Sequence, residues 1–220
     1  MEVRSRLITR IPSRLAVLAS GSGSNLQAVL DACAHGMLAA EVVLVVSDRG
    51  DAFALERART VGVPAVHLPR ADGEARADYD ARLADTVVAA APDLVVLAGW
   101  MRILTMKFLG HFPSRVVNLH PALPGELPGT HSIERAFAEF ERGERTRTGV
   151  MVHLVPDEGV DDGPVLGTAI VPIHVDDNLD TLTARVHATE HALLVATLAD
   201  LCQPPLPTHP PSPTPTHQRS

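Results

Sequence analysis

Short apolar runs alternate along the chain with segments in which apolar positions recur at helical spacing. The apolar runs predict strands at residues 15–20, 41–47, 64–68, 93–99, 115–120, 149–155 and 164–173. The helical segments begin at about residues 24, 52, 74, 132 and 179. This alternation is typical of an α/β fold with a Rossmann-like, mostly parallel central sheet flanked by helices. The last two strands alternate less cleanly, which favours some antiparallel strands in the C-terminal half.

The two ends of the chain differ from this core in composition. Residues 1–14 carry four arginines and one glutamate, and they predict a disordered arm. Residues 203–220 hold 7 of the 18 prolines and lack an apolar period, so they predict a Pro-rich disordered tail. Residues 15–202 are then expected to form one catalytic domain.

Charge and cysteine content narrow the classes of partner and compartment. The chain has 220 residues and a net charge of −7, and residues 15–202 contain 14 Lys and Arg against 25 Asp and Glu. Such acidity argues against general binding of nucleic acid or of an anionic membrane, because both need a cationic surface. No apolar run reaches the length of a membrane-spanning helix. The two cysteines, Cys33 and Cys202, form no CxxC motif and indicate a reducing, cytoplasmic environment.

A glycine-rich loop, Ser20 to Asn25, joins the first strand to the first helix. Free amides at a helix start favour a phosphate, and glycines let the backbone approach a ligand. Leu26 occupies the position of the third glycine of a dinucleotide fingerprint, so the loop fits a monophosphate better than a dinucleotide. The alternative is a tight turn capped by Ser24.

Asn118 and His120 lie on the same face of the fifth strand, at its carboxyl end. An amide beside an imidazole suits acyl transfer, because one group stabilises an oxyanion while the other moves a proton. The alternative is a histidine that only bonds a loop carbonyl. A long Pro/Gly loop at residues 121–131 follows and favours function.

Two groups of possible metal ligands admit several interpretations. The turn at residues 156–164 holds four carboxylates that could bind a divalent cation, raise the pKa of a nearby histidine, or remain solvated. On the last helix, His187 and His191 share a face, but Ala188 stands where a zinc HExxH motif needs glutamate. We therefore expect no metal site.

Six segments, taken together and in order, resemble the phosphoribosylglycinamide formyltransferases, folate-dependent formyltransferases of purine synthesis. The matching segments are VLASGSGSNLQAVLDA (17–32), SDRGDAFALERA (47–58), PDLVVLAGWMRIL (92–104), VVNLHPAL (116–123), TGVMVHLVPDEGVDDGPVL (148–166) and ATEHALL (188–194). The resemblance implies transfer of a formyl group from 10-formyltetrahydrofolate to the amine of glycinamide ribonucleotide. It implies small-molecule substrates and no metal, and it leaves the oligomeric state open.

The resemblance also implies roles for individual residues. Asn118 would hold the formyl oxygen, His120 would donate the proton, and Asp161 would tune the His120 pKa. The choice of Asp161 over Asp162 rests on alignment back from Gly163-Pro164. The ribonucleotide would contact Gly23, Ser24, Asn25 and Glu190. The folate would contact Arg76, Met101, Arg102, Ile103, Leu104, Asn118, Asp157, Glu158, Gly159 and Val160. Because both substrates are anionic, we expect locally cationic mouths of the site, with Arg102, Arg76 and the amides at 23–25 as the candidates.

Related functions remain as alternatives. A formyltetrahydrofolate hydrolase would use a similar Asn/His/Asp set but carries a further N-terminal domain. A methionyl-tRNA formyltransferase carries a C-terminal tRNA-binding domain, which the acidic, Pro-rich end does not resemble. A non-catalytic sugar-phosphate sensor would not need all three of Asn118, His120 and Asp161.

Overall fold

The computed structural model describes residues 11–202, which form a seven-stranded sheet covered by helices on both faces. The strands are β1 (Ser13–Leu18), β2 (Ala40–Ser47), β3 (Ala65–His67), β4 (Leu94–Leu97), β5 (Val116–His120), β6 (Arg147–Leu154) and β7 (Val165–Pro172). The helices are α1 (Ser24–Ala34), α2 (Phe53–Thr60), α3 (Arg76–Ala89), α4 (Met106–Leu109), α5 (Ser132–Glu141) and α6 (Leu179–Leu201). The tail at 203–220 and most of the arm at 1–14 lie outside the described residues.

The sheet has the strand order β3-β2-β1-β4-β5-β6-β7. Strands β1 to β5 are parallel, whereas β6 pairs antiparallel with both β5 and β7. The predicted α/β class and its antiparallel C-terminal half are therefore confirmed. The short helix α4 is absent from the prediction because a single turn shows no apolar period.

Both faces of the central strands are buried, as the unbroken apolar runs predict. On β1, Leu15 and Val17 belong to one core cluster, together with residues of α1 and α6. Ala16 and Leu18 belong to a second cluster with residues of α3 and α4. Successive side chains on a strand point to opposite faces, so this one segment anchors both helical layers.

The first strand begins earlier than the sequence indicates. It starts at Ser13, so the end of the predicted arm belongs to the sheet. The Arg14 guanidinium donates to the carbonyls of Ala90 and Ala91 and pairs with Glu41. These acceptors satisfy the charged side chain within the strand. Among residues 11–202, no helix is long and apolar enough to cross a membrane.

Candidate active site

The main cavity lies at the carboxyl ends of β1 and β4, where the chain order of the sheet reverses. Open α/β sheets bind ligands at such a switch point. The Ser20 N–H donates to the Gly99 carbonyl at 3.0 Å, and the Met101 N–H donates to Ser20 Oγ at 3.0 Å, so the loops after the two strands are joined. The cavity has a volume of about 890 Å³.

Most of the predicted site residues line this one cavity, although they come from distant parts of the chain. Those that line it are Gly23, Ser24, Asn25, Met101, Arg102, Ile103, Leu104, Asn118, His120, Asp157, Gly159, Val160, Asp161 and Glu190. Arg76 and Glu158 instead line a smaller neighbouring cavity with Thr105, Met106 and Lys107.

Gly23, rather than Ser24, caps the first helix. Its φ of 70° and ψ of 27° are left-handed, and no side chain caps the helix start. The alternative of a turn capped by Ser24 is therefore wrong. A glycine adopts this conformation without the Cβ penalty, and it leaves the amides of the first turn of α1 without a side-chain cap. That geometry suits a phosphate.

Arg57 supports the glycine-rich loop from behind, a role that the sequence did not reveal. Its Nε donates to the Ser22 carbonyl at 2.8 Å, and its Nη1 donates to Gln27 Oε1 at 3.0 Å. The guanidinium also lies over the Phe53 ring, 4.8 Å from its centroid. No local sequence pattern indicates this contact, because Arg57 and Ser22 are 35 residues apart in the chain.

Glu190 closes the floor of the cavity beside this loop. It is 6% exposed, and Asn25 Nδ2 donates to its Oε2 at 3.4 Å. Burial raises the pKa of Glu190 to about 7, and the Asn25 bond offsets only part of that shift. The side chain can therefore hold or release a proton near neutral pH.

Asn118, His120 and Asp161 meet at the carboxyl end of β5, as the resemblance implies. Asn118 Nδ2 donates to Asp161 Oδ1 at 3.1 Å, and His120 Nδ1 lies 3.3 Å from Asp161 Oδ2. The Gly129 N–H donates to the same Oδ2 at 2.9 Å, which joins the 121–131 loop to the trio. Asp162 is exposed and turned toward Gly159 instead, so the geometry favours Asp161 as the functional carboxylate.

Both ring nitrogens of His120 face hydrogen-bond acceptors. Nδ1 faces Asp161, and Nε2 lies 3.1 Å from the Leu127 carbonyl. Burial lowers the pKa of His120, and the Asp161 carboxylate and Leu127 carbonyl raise it by less. Asp161 therefore raises the His120 pKa, as the resemblance implies, but burial lowers this pKa by more.

Asp161 itself remains an acceptor. Burial raises the pKa of Asp161, but its hydrogen bonds, the one from the Gly129 N–H among them, and the positive charge that neighbouring imidazole rings can carry lower it by more. The net pKa lies below the usual aspartate value, so the carboxylate stays charged beside His120 at neutral pH.

The two arginines expected to make the site cationic are both paired with carboxylates. Arg102 Nε donates to Asp48 Oδ2 at 2.7 Å, and its guanidinium lies 5.3 Å from the centroid of the Tyr79 ring. Arg76 Nη2 contacts Glu158 Oε2 at 2.5 Å. Both arginines are therefore charge-paired in the structure, and a locally cationic mouth of the site stays a prediction.

Candidate metal ligands do not converge among residues 11–202. No group of three His, Cys, Asp or Glu side chains there is arranged to hold an ion. His187 instead has Nε2 3.9 Å from Glu190 Oε2, and it lines the cavity.

Comparisons with known proteins agree with this arrangement. Residues 13–198 match the family model described as formyl transferase. Phosphoribosylglycinamide formyltransferase of Schizosaccharomyces pombe is 44% identical over 193 residues, which cover 82% of this chain and 93% of that protein. The Escherichia coli protein of the same name is 43% identical over 179 residues, which cover 81% of this chain and 82% of that protein.

A solved structure extends the similarity to three dimensions. Glycinamide ribonucleotide transformylase 1 from Symbiobacterium toebii aligns with a TM-score of 0.81 at 40% identity, over 87% of this chain and 88% of that one. The family match and these relatives each span most of the chain. The chain therefore belongs to the formyl transferase family, among its phosphoribosylglycinamide formyltransferases.

Proposed function

We propose that the chain transfers a formyl group from 10-formyltetrahydrofolate to the amine of glycinamide ribonucleotide, a step of de novo purine synthesis. One observation carries the proposal. The trio of Asn118, His120 and Asp161 lies in the same cavity as the glycine-rich loop, where no side chain caps the amides at the start of α1. A phosphate-bearing amine bound at that loop would extend toward an amide and an imidazole suited to acyl transfer.

The ribonucleotide would occupy the end of the cavity beside α1. The amides of Gly23, Ser24 and Asn25 would bind the phosphate, because helix N-termini stabilise anions. Glu190 would accept hydrogen bonds from the ribose hydroxyls. Its contact with Asn25 joins the sugar and phosphate ends of this subsite.

The folate would occupy the other end of the cavity. Met101 is 61% exposed and Ile103 44% exposed, so both offer apolar surface to a flat ring. The backbone of residues 101–104 and the turn at 157–160 would bind its polar edge. Arg76, in the adjoining smaller cavity, would meet the anionic end of the folate by exchanging its contact with Glu158.

Formyl transfer then requires a proton to move from the amine to the leaving folate nitrogen. The amine forms a bond to the formyl carbon, and His120 stabilises the resulting oxyanion and supplies a proton as the carbon–nitrogen bond to folate breaks. The amine proton returns to the ring, so the reaction consumes no net proton. Since both His120 nitrogens face acceptors, donation to a ligand requires Leu127 or Asp161 to yield its contact.

The proposed partners are the two small molecules alone. We propose a cytoplasmic location on the basis of the two cysteines, which are both free in the structure. The net charge of −7 supports the further proposal that nucleic acid is not a partner.

The direct test mixes purified protein with glycinamide ribonucleotide and 10-formyltetrahydrofolate and measures release of the deformylated folate. We expect release only when both substrates are present. A His120→Ala variant should lose about 10²–10⁴ in kcat, as is usual for a missing acid–base group. Release without ribonucleotide would favour a hydrolase, and no release in any mixture would refute the proposal and favour a sugar-phosphate sensor.

A further inference from the structure

A second histidine, His153 on β6, lies directly opposite Asn118 on β5 in the antiparallel register. It is 2% exposed and follows five buried residues of its strand. Burying an imidazole is unfavourable unless its polar atoms find partners. The partners of His153 therefore explain its position, and they are components of the active site.

The contacts of His153 determine which ring nitrogen carries the hydrogen. Nδ1 lies 2.9 Å from the Leu154 carbonyl, which can only accept, so Nδ1 is the donor. Nε2 lies 3.0 Å from Asn118 Nδ2. A hydrogen on Nε2 would face the hydrogens of that amide, so Nε2 acts as an acceptor.

The Asn118 amide is then held by two acceptors at once. One hydrogen of Nδ2 points to His153 Nε2, and the other points to Asp161 Oδ1 at 3.1 Å. The reversed amide would bring its oxygen against a carboxylate oxygen and an imidazole lone pair, which is repulsive. The side-chain oxygen of Asn118 is therefore the polar atom left for a ligand.

We propose that His153 is a positioning residue that fixes the Asn118 amide with its oxygen toward the substrates; this inference rests on the proposed formyl transfer. In this orientation Asn118 accepts a hydrogen bond from the attacking amine and directs the nitrogen lone pair at the formyl carbon. Both N–H groups of Asn118 are engaged in this arrangement, so the implied role of Asn118 as holder of the formyl oxygen stays a prediction that would require one of these contacts to be exchanged. His153 Nε2 lies 3.6 Å from Asp161 Oδ1, too far for a hydrogen bond, so His153 acts mainly through Asn118.

The test is a double-mutant cycle with His153→Phe and Asn118→Ala. His153→Phe keeps a ring of similar shape and removes the acceptor, and we expect kcat to fall about tenfold with each KM within twofold of wild type. In the Asn118→Ala background the same change should cost nothing further, because the amide that it positions is gone. The conservative variant His153→Gln places a carboxamide oxygen within reach and should restore most of the lost kcat.

Three results would overturn the proposal. These are an unchanged kcat in His153→Phe, an equal loss in the Asn118→Ala background, or a loss confined to KM. If the Phe variant does not fold by circular dichroism, ¹⁵N NMR of the wild-type histidine rings still decides, since a His153 hydrogen on Nε2 contradicts the argument. Wild-type protein that transfers no formyl group would refute the proposed function, whereas the NMR result would still test the hydrogen-bond assignment separately.

Discussion

A Cβ atom at Gly23 tests whether the glycine-rich loop is built to bind the ribonucleotide phosphate. The residue has a φ of 70°, a conformation that costs a non-glycine residue about 1–2 kcal/mol. An alanine Cβ would also lie 2.7 Å from Ala54 Cα, which is backbone of α2 and cannot rotate away. The loop would have to move off α2, and the hydrogen bond from the Ala54 N–H to the Gly21 carbonyl would lengthen.

In Gly23→Ala the free loop would leave the strained conformation and binding would have to restore it, so we expect the dissociation constant of glycinamide ribonucleotide to rise about 5- to 30-fold, the factor that corresponds to 1–2 kcal/mol. Isothermal titration calorimetry with the ribonucleotide measures this change, and a parallel titration with an unreactive folate analogue should change less than twofold. The matched control is Gly21→Ala, because a Cβ there meets nothing within 4 Å. Wild-type ribonucleotide affinity in Gly23→Ala, or an equal loss in Gly21→Ala, would refute the reasoning.

Two further predictions concern titratable groups of the site. Asp161→Asn removes the carboxylate that favours the charged His120 ring, so the decline of kcat with rising pH should move to lower pH. A pH–rate profile measures this shift. The control Asp162→Asn changes an exposed carboxylate, and its profile should match that of the wild type. For Glu190, burial raises the pKa from 4.5 to about 7, so between these pH values the folded protein binds more protons than the unfolded chain. The free energy of unfolding should therefore fall by roughly 3 kcal/mol as the pH rises from 4.5 to about 7. Urea denaturation at several pH values should show this slope in wild type and lose it in Glu190→Gln; an unchanged slope would exclude Glu190 as its source.

The fold followed closely from the sequence because each long element has its own periodic signal. Strand β2 and helix α6 lie within a residue of their predicted bounds, since their apolar patterns are long and uninterrupted. Helix α4 has four residues and no such pattern. The cap at Gly23 was missed because serine is the usual capping residue, whereas this loop needs a left-handed turn close to α2.

The site could be predicted only as far as its residues lie on strand ends or match the resemblance. Asn118 and His120 share a face of one strand, so alternation alone places them together. His153 has no such signal, because its contact with Asn118 depends on the register between β5 and β6. The pairing of Arg102 with Asp48 joins residues 54 positions apart, and no local pattern indicates it.

The pairing of Arg102 and Arg76 with carboxylates has a consequence for how fast the substrates arrive. Two anionic molecules must approach a chain with a net charge of −7, and neither of these arginines offers an unpaired charge to attract them. Long-range electrostatics therefore slows their encounter with the cavity instead of steering it. At 0.1 M ionic strength, salt screens the repulsion between charges that are more than about 10 Å apart. The association rate constants of both substrates are thus expected to increase with ionic strength, the reverse of the dependence in enzymes that attract anions to a cationic cleft.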